Sequence, residues 1–442
     1  MHHKILISQR HLNYALAGVL FFNLFFLAGS CIANIGYLPS QAYLKHILYL
    51  VDLGAENNLA AWYSSMLLFL CGVMSLVCFA MDSQHLKDPS YTKFGWIIFS
   101  SIFTLLSFDE LGSVHENISE SLLFKGSGKA VLGNESSGWI MFMALVGLVS
   151  LFMISFSILK FKSNLKALCF FSLGILLYLS NPFQENFEIA AHQASADPLT
   201  WKRPVLFLFL EEGSEIFGSL CFLMAVTLYA LKISQTDKTS SSLKINFQPF
   251  IMFRFTSFVI ILSSIGLLLT QYIFGNVTPQ SQVGVPKNWF TAMLSFLIFL
   301  YSLNAIISMP LRFHKPLKVI LIITCLLGLG FSLLYGSNLY AYPFIPHSNA
   351  ALGKDLVSGL ICLISLIPSF FLFIWGKNGE VKTGAFLWSM ICIALFSTPA
   401  FSAELAFVAL CCLLYTLTIY PSLLNEFDPK PYKGITFGLK SS

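Results

Sequence analysis

Three glutamates lie inside an apolar stretch, Pro204 to Lys232, that is long enough to cross a membrane. At about 100° per residue, Glu211, Glu212 and Glu215 share a helix face about 100° wide. A carboxylate at bilayer depth costs a few kcal/mol, so residues of this kind are usually functional. Crowded carboxylates must be protonated, paired with bases or bound to a cation. The spacing therefore predicts a chemical site within a membrane-spanning helix.

A second polar stripe follows the preceding apolar stretch. Glu185, Glu188 and His192 lie within about 60° of one another on a helix, and Asn181 joins the same face. We expect this stripe to extend over three helical turns and to face the three glutamates.

A third polar group ends the apolar span near 93–114. Asp109 and Glu116 are seven residues apart and share a helix face, which Glu110 and His115 flank on opposite sides. Gly112 and Ser113, on the same face, are small enough for another helix to approach. We expect about two of the four polar side chains to point at the site.

The combined residue types favour a metal site. Carboxylates and imidazoles without thiolates suit iron, manganese or zinc, and facing helices that carry such groups hold one or two divalent ions in other bundles. Bases on the same side, such as Lys202 and Arg203, are too few to balance the acids. The predicted metal ligands are Asp109, Glu110, His115, Glu116, Glu188, His192 and Glu215. The predicted catalytic bases are Glu211, Glu212 and Glu185. Neighbouring phenylalanines are expected to keep the site dry, namely Phe183, Phe187, Phe209 and Phe217. The alternative is a metal-free polar mouth or a buried structural network.

Two acids upstream have a simpler explanation. Asp52 and Glu56 are four residues apart, the spacing of neighbours on a helix, but acids and amides at a helix start are commonly caps. Trp62 and Tyr63 follow and are typical of a membrane-interface belt.

Composition places the chain in a membrane. Of 442 residues, 56% are hydrophobic and 11% are charged, against about 25% charged in soluble domains. The mean hydropathy is +0.75. The net charge of +5 lies in short loops, so it does not indicate nucleic-acid binding. All ten cysteines fall in apolar segments without a Cys-x-x-Cys pair, which argues against a disulfide framework or a thiolate metal site.

The predicted fold is an all-α polytopic membrane protein of about twelve transmembrane helices in two six-helix halves. Residues 1–233 form the half that carries the Glu/His cluster, 234–247 a cytoplasmic linker, and 248–442 the second half. The predicted spans lie near 12–34, 59–81, 93–114, 138–160, 165–184, 204–232, 248–272, 289–310, 316–336, 352–376, 382–399 and 402–420.

Loop charges predict the orientation. Basic residues concentrate at the N-terminus and in alternate loops, including Lys160, Lys162 and Lys166 after the fourth span. Since such loops face the cytoplasm, both termini should be cytoplasmic and the acidic motifs should lie at the outer face. Trp289, in this scheme, belongs to the outer interface.

The motifs SFDELGSVHE and FLEEGSEIFG, with DLGAENNLAAWYSS upstream, resemble those of bacterial multi-pass membrane proteins of unassigned function. The resemblance covers the first half. It implies the cytoplasmic membrane of a bacterium and implies no activity.

Three functions remain open from sequence. The first is a metal-dependent membrane enzyme acting on a lipid or lipid-linked substrate, with a metal-free form in which two carboxylates cleave a glycosidic bond. The second is a transporter for a divalent cation or a proton-coupled solute. The third is a non-catalytic membrane subunit of a complex. An enzyme site opens to one leaflet, whereas a transporter needs a path to both sides.

Overall fold

A computed structural model describes most of the first half of the chain. It covers residues 3–35, 42–55, 58–85, 90–112, 143–194, 203–235 and 242–247, and scattered residues between 289 and 333. The predicted spans near 248–272, 352–376, 382–399 and 402–420 lie outside the described residues.

Seven helices and two short strands are described before residue 248. The helices are α1 (Gln9–Asn34), α2 (Ala42–Val51), α3 (Leu59–His85), α4 (Ser90–Gly112), α5 (Met143–Phe161), α6 (Leu165–Gln193) and α7 (Val205–Gln235). The strands are β1 (His3–Ser8) and β2 (Ser242–Phe247). Among the described residues, five helices are long and apolar enough to cross a membrane. The spans are Asn13–Asn34, Leu59–Asp82, Lys93–Leu111, Leu165–Gln184 and Val205–Ile233, and α5 contributes a shorter apolar stretch, Val146–Phe161.

These segments form helices because a backbone in lipid must satisfy its hydrogen bonds internally. Side chains cap two of the helix starts. The Asn58 side chain accepts from the backbone N–H of Ala61 at 2.8 Å at the start of α3. Asn164 accepts from Ala167 at 3.4 Å at the start of α6.

Contacts between helices define which ends lie together. The Cys71 and Cys78 thiols of α3 donate to the carbonyls of Ser219 and Val226 of α7, so α3 and α7 run parallel. In α6 and α7, Asn164 donates to the Leu228 carbonyl and Asn181 donates to Glu215, so these two helices run antiparallel. Ser65 of α3 donates to the Ser107 carbonyl of α4, which places the end of α4 with the start of α3. Asn23 of α1 donates to the Ile216 carbonyl, and Leu27 lies beside Gly213, so α1 runs antiparallel to α7. The ends of α1, α4 and α6 therefore lie with the start of α7. We call this the acidic end and the other the basic end.

Aromatic rings fill the middle of the bundle. Phe99 and Phe103 of α4, Phe171 of α6 and Phe222 of α7 are fully buried. The Phe99 and Phe171 rings stack at 5.3 Å between centroids, and Phe103 lies 5.2 Å from Phe222. This aromatic layer separates the two ends of the described bundle.

The strands join the N-terminus to the segment after α7. β1 pairs antiparallel with β2, from His3 opposite Phe247 to Ser8 opposite Ser242. The described residues are predominantly helical, as predicted, and add one short two-stranded sheet whose second strand lies in the predicted linker, 234–247. The pairing places the N-terminus and residues 242–247 on the same side of the bundle.

Described residues of the second half pack against the first half through two tryptophans. The Trp289 indole donates to Ser107 of α4 at 3.1 Å, and Trp62 of α3 donates to Ser332 at 3.0 Å. Both indoles are buried, and Tyr63 donates to Asn23 of α1. The prediction that Trp62, Tyr63 and Trp289 form interface belts is therefore wrong, because their polar atoms bond to neighbouring helices.

Candidate functional site

Arg203, just before α7, is the centre of the acidic end. Its Nε lies 3.0 Å from the carboxylate of Glu188 in α6. One Nη pairs with Glu211, and the other lies 3.6 Å from an oxygen of Glu212. The exposed fractions of the side chains are 27% for Arg203, 18% for Glu188, 24% for Glu211 and 15% for Glu212, so the group is half-buried. One guanidinium thus joins carboxylates from two helices.

The electrostatics keep this arginine charged. Burial lowers the pKa of the Arg203 guanidinium, but Glu211, Glu188 and Glu212 outweigh burial and hold that pKa above its usual range. The arginine is a permanent positive charge against three carboxylates.

Glu215 lies one turn deeper and bonds to polar side chains. The Asn181 amide donates to a Glu215 oxygen at 2.8 Å. Ser214 donates to the Asn181 carbonyl oxygen and contacts the Glu211 carbonyl at 2.7 Å. Asn181 therefore links the polar stripe of α6 to the glutamate face of α7. The helical spacing in the sequence suggested that these two faces meet.

Helix α4 brings further negative charge. Glu110 interacts electrostatically with Glu212 and Glu215, and Asp109 interacts with Glu215. The ends of α4 and α6 and the start of α7 thus contribute carboxylates to one zone.

Asp52 belongs to a turn beside this zone. Its Oδ1 accepts from Ser30 at 2.8 Å, Asn34 at 2.9 Å and the Gly54 N–H at 3.2 Å. The turn lies between α2 and α3. Asn58 caps α3, so the cap explanation is wrong for Asp52, and Glu56 lies outside the described residues. A Cβ on Gly54 would lie 3.3 Å from an Arg203 Nη and 2.5 Å from Leu208 Cδ1, so glycine permits this close approach.

The structure separates the predicted site residues into three groups. Glu188, Glu211 and Glu212 meet at Arg203, with Glu215, Glu110 and Asp109 near them. His192 is exposed at the end of α6. His115 and Glu116 lie outside the described residues, and Glu185 is described only by its place in α6.

The predicted metal ligands that the structure describes do not come together as a metal centre. Within the described ranges, no group of three histidine, cysteine, aspartate or glutamate side chains is placed to hold a metal ion. Part of the negative charge from which a metal was predicted is balanced by Arg203. Arg203 pairs with Glu188, Glu211 and Glu212, because a planar guanidinium presents several N–H donors in different directions.

The phenylalanines near the site do not enclose it. Phe183, Phe187 and Phe209 are 66%, 67% and 45% exposed on the outside of the bundle. Phe217 packs against the cluster of Phe26, Leu53 and neighbouring residues. The prediction of a phenylalanine shell is therefore wrong for the first three, whose positions suit contact with lipid.

A second buried charge pair lies at the basic end, where the sequence predicted a loop charge. Lys160 of α5 is 2.7 Å from Asp82 Oδ2 of α3. Trp96 of α4 donates to the same oxygen at 2.7 Å, and Tyr229 of α7 donates to Oδ1 at 2.9 Å. All four residues are buried. Lys160 is therefore an ion-pair partner buried inside the helix bundle. The sequence signal was an aspartate at the end of one apolar span and a lysine at the end of another.

Comparison with known proteins adds a family match without an activity. Residues 14–230 match a family described as a domain of unknown function (DUF8692). No curated protein and no solved structure matches the chain. The matched segment runs from early in α1 to near the end of α7, and so includes the described carboxylates and Arg203.

Proposed function

We propose that this protein is an integral membrane enzyme that acts on a lipid or lipid-linked substrate at one face of the membrane. The observation that carries the proposal is the half-buried group of Arg203, Glu188, Glu211 and Glu212 at the acidic end. Carboxylates in such a group can accept and donate protons during a reaction. In the proposal, Glu211, Glu212 or Glu185 is the general base.

Arg203 has a positioning role in this proposal. Its contacts fix carboxylates from α6 and α7 relative to each other, and a charged guanidinium can also stabilise negative charge that develops in a transition state. The hydrogen bond from Asn181 similarly orients Glu215.

The packing of the described helices beyond the acidic end favours an enzyme over a transporter. A transported solute must reach both sides, but the aromatic layer of Phe99, Phe103, Phe171 and Phe222 lies below the acidic zone. The buried Asp82–Lys160 pair ties together the helices beyond that layer. This arrangement supports a site that opens toward one leaflet.

The test is a search for lipid turnover. Full-length protein in nanodiscs made with total bacterial membrane lipids is incubated, and the lipids are compared by mass spectrometry before and after. We expect a lipid to be consumed by the wild type and not by Glu212→Gln or Glu211→Gln, whereas Gly147→Ala in α5 should retain activity.

In parallel, proteoliposomes with a trapped pH dye measure proton movement. Proton flux with unchanged lipids would overturn the proposal in favour of transport.

The metal remains a separate prediction from sequence, because His115 and Glu116 lie outside the described residues. Elemental analysis of gently purified protein measures iron, manganese and zinc. Less than about a tenth of an equivalent, with no rise in melting temperature on adding metal, would contradict metal binding.

A further inference from the structure

We propose that Ser64 of α3 is the innermost contact of the acidic end and binds a hydroxyl group of a neutral ligand. This ligand is the head group of the lipid or lipid-linked substrate in the proposed function, on which the assignment rests. Ser64 is buried, has no hydrogen-bond partner among the described residues, and lies at the level of Glu212.

The level of Ser64 follows from the parallel packing of α3 and α7. The Cys71 and Cys78 thiols of α3 donate to carbonyls of α7 that lie 148 residues further along the chain. Ser64 precedes Cys71 by seven residues, which is nearly two helical turns and returns to the same face of α3. The same offset therefore places Ser64 opposite Glu212, two turns closer to the acidic end.

The surroundings of Glu212 indicate where the Ser64 side chain points. Two of the electrostatic neighbours of Glu212 are Glu110, at the end of α4, and Asp52, in the turn before α3. Ser65, the next residue of α3, donates to a carbonyl of α4 at 2.7 Å. Ser64 therefore lies on the side of α3 between α4 and α7, where these carboxyl groups are. Since 15% of the Glu212 side chain is exposed, this polar zone extends to the surface of the protein.

The hydroxyl of Ser64 is the feature that indicates a ligand. Ser64 is 0% exposed, and its Oγ forms no hydrogen bond with the described residues. Hydroxyl groups on neighbouring turns are paired, Ser65 with Ser107 and Ser219 with Tyr178 at 2.7 Å. A buried hydroxyl without a partner is unfavourable and rare. A bound group that donates to or accepts from Ser64 would remove this cost.

The groups around Ser64 suit a hydroxyl better than a charged group. Glu110 interacts electrostatically with Glu212 and with Glu215, and carboxyl groups in one zone repel one another when all are ionised. A carboxyl group that keeps its proton both donates and accepts, as the serine hydroxyl does. A ligand hydroxyl has the same two capacities and is small enough to need little room beside a buried serine. Glycerol and sugar head groups carry several hydroxyl groups.

Binding of two lipids that share an oleoyl chain tests the role of Ser64. Full-length protein in phosphatidylcholine nanodiscs is titrated with monooleoylglycerol, whose head group carries hydroxyl groups, or with methyl oleate, which carries none. Native mass spectrometry counts the bound lipid. We expect the wild type to bind monooleoylglycerol at least about tenfold more tightly than methyl oleate. Ser64→Ala should lose about fivefold in monooleoylglycerol affinity, as expected for one hydrogen bond.

Ser65→Ala is the matched control, because it removes a paired hydroxyl from the adjacent residue on another face of α3. It should lower the melting temperature and keep the affinity for monooleoylglycerol. Ser64→Ala should not lower the melting temperature of the ligand-free protein, since it removes a buried group without a partner. These opposite effects separate a ligand contact from a structural one.

Competition by free glycerol identifies the source of the hydroxyl group. Displacement of monooleoylglycerol supports recognition of the polyol alone, and no displacement supports recognition of the lipid-borne form. Equal binding of the two lipids would overturn the assignment, as would unchanged monooleoylglycerol affinity in Ser64→Ala. A melting temperature of Ser64→Ala as low as that of Ser65→Ala would also overturn it, because the hydroxyl would then be a structural contact.

Failure of the proposed function gives a different result. Selective binding of monooleoylglycerol without turnover of any lipid would leave Ser64 as a ligand contact and remove the enzyme. Turnover of a lipid with equal binding of monooleoylglycerol and methyl oleate would do the reverse.

Discussion

Arg203 determines how the glutamates at the start of α7 can coexist. Each carboxylate that enters the membrane edge loses hydration, and several together repel one another. The guanidinium offsets both effects because it contacts Glu188, Glu211 and Glu212 at once. The same residue is therefore expected to control both folding of the acidic end and the orientation of its carboxylates.

Replacing Arg203 by methionine should destabilise the fold by roughly 2–3 kcal/mol, between the values for exposed and for buried ion pairs. The pKa of Arg203 is raised in the folded state, so its contribution is present throughout the neutral range and is lost only in strong alkali. Unfolding in mixed micelles at pH 6 and pH 9 measures this. Equal stability of variant and wild type at both pH values would contradict the role of Arg203.

The Asp82–Lys160 pair makes a different residue-scale prediction. Lys160→Met and Asp82→Asn should each cost about 3–5 kcal/mol, because each leaves a buried charge without its partner. The double variant should be more stable than the sum of the single losses implies, because neither charge remains. A double-mutant cycle of unfolding free energies measures the coupling, and additive losses would argue against a direct interaction.

At the scale of elements, α6 and α7 approach closely through glycines. A Cβ on Gly218 would lie 2.7 Å from the Tyr178 ring, and one on Gly174 would lie 2.7 Å from the Phe222 ring. Small residues at such a crossing allow two membrane helices to pack their backbones together. The close crossing lets Asn181 reach Glu215 and Tyr178 bond to Ser219 at 2.7 Å.

Gly218→Ala should therefore destabilise the protein by about 1–3 kcal/mol, because the added methyl overlaps a ring that is held by a hydrogen bond. Gly147→Ala in α5 is the matched control, since a Cβ there meets nothing within 4 Å. Melting temperatures in the same detergent compare the two. Similar melting temperatures for both variants would show that the crossing can relax without loss.

At the scale of the whole molecule, the described bundle has two different ends. The acidic end holds Arg203 and its carboxylates, while the basic end holds β1, β2 and the turn between α5 and α6. Lys162 and Lys166 lie exposed at the basic end. Since basic loops remain in the cytoplasm, the acidic end is expected at the outer face.

Cysteine labelling tests this orientation. In a variant without its native cysteines, Ser127→Cys should react with an impermeant thiol reagent in whole cells, and Ser240→Cys should react only after the membrane is opened. The positive-inside rule gives the physical reason for this expectation. The opposite labelling pattern would reverse the orientation and place the acidic end in the cytoplasm.

Hydrophobic runs and helical spacing allowed much of the first half to be predicted. The apolar runs predicted the spans found as Asn13–Asn34, Leu59–Asp82, Lys93–Leu111, Leu165–Gln184 and Val205–Ile233, since only a helix satisfies its backbone in lipid. Spacing also predicted that Asn181 shares a face with Glu188, because periodicity is a local property of the chain.

Only the tertiary structure decided which charges meet. Arg203 precedes an apolar run and gives no sign in the sequence that it reaches Glu188 of another helix. Asp82 and Lys160 are 78 residues apart, and Trp62 and Ser332 are 270 apart. Periodicity fixes the face on which a side chain lies, whereas its partner depends on the order and rotation of helices around the bundle. The same limit explains why Trp62 and Phe183 were assigned to the wrong surroundings.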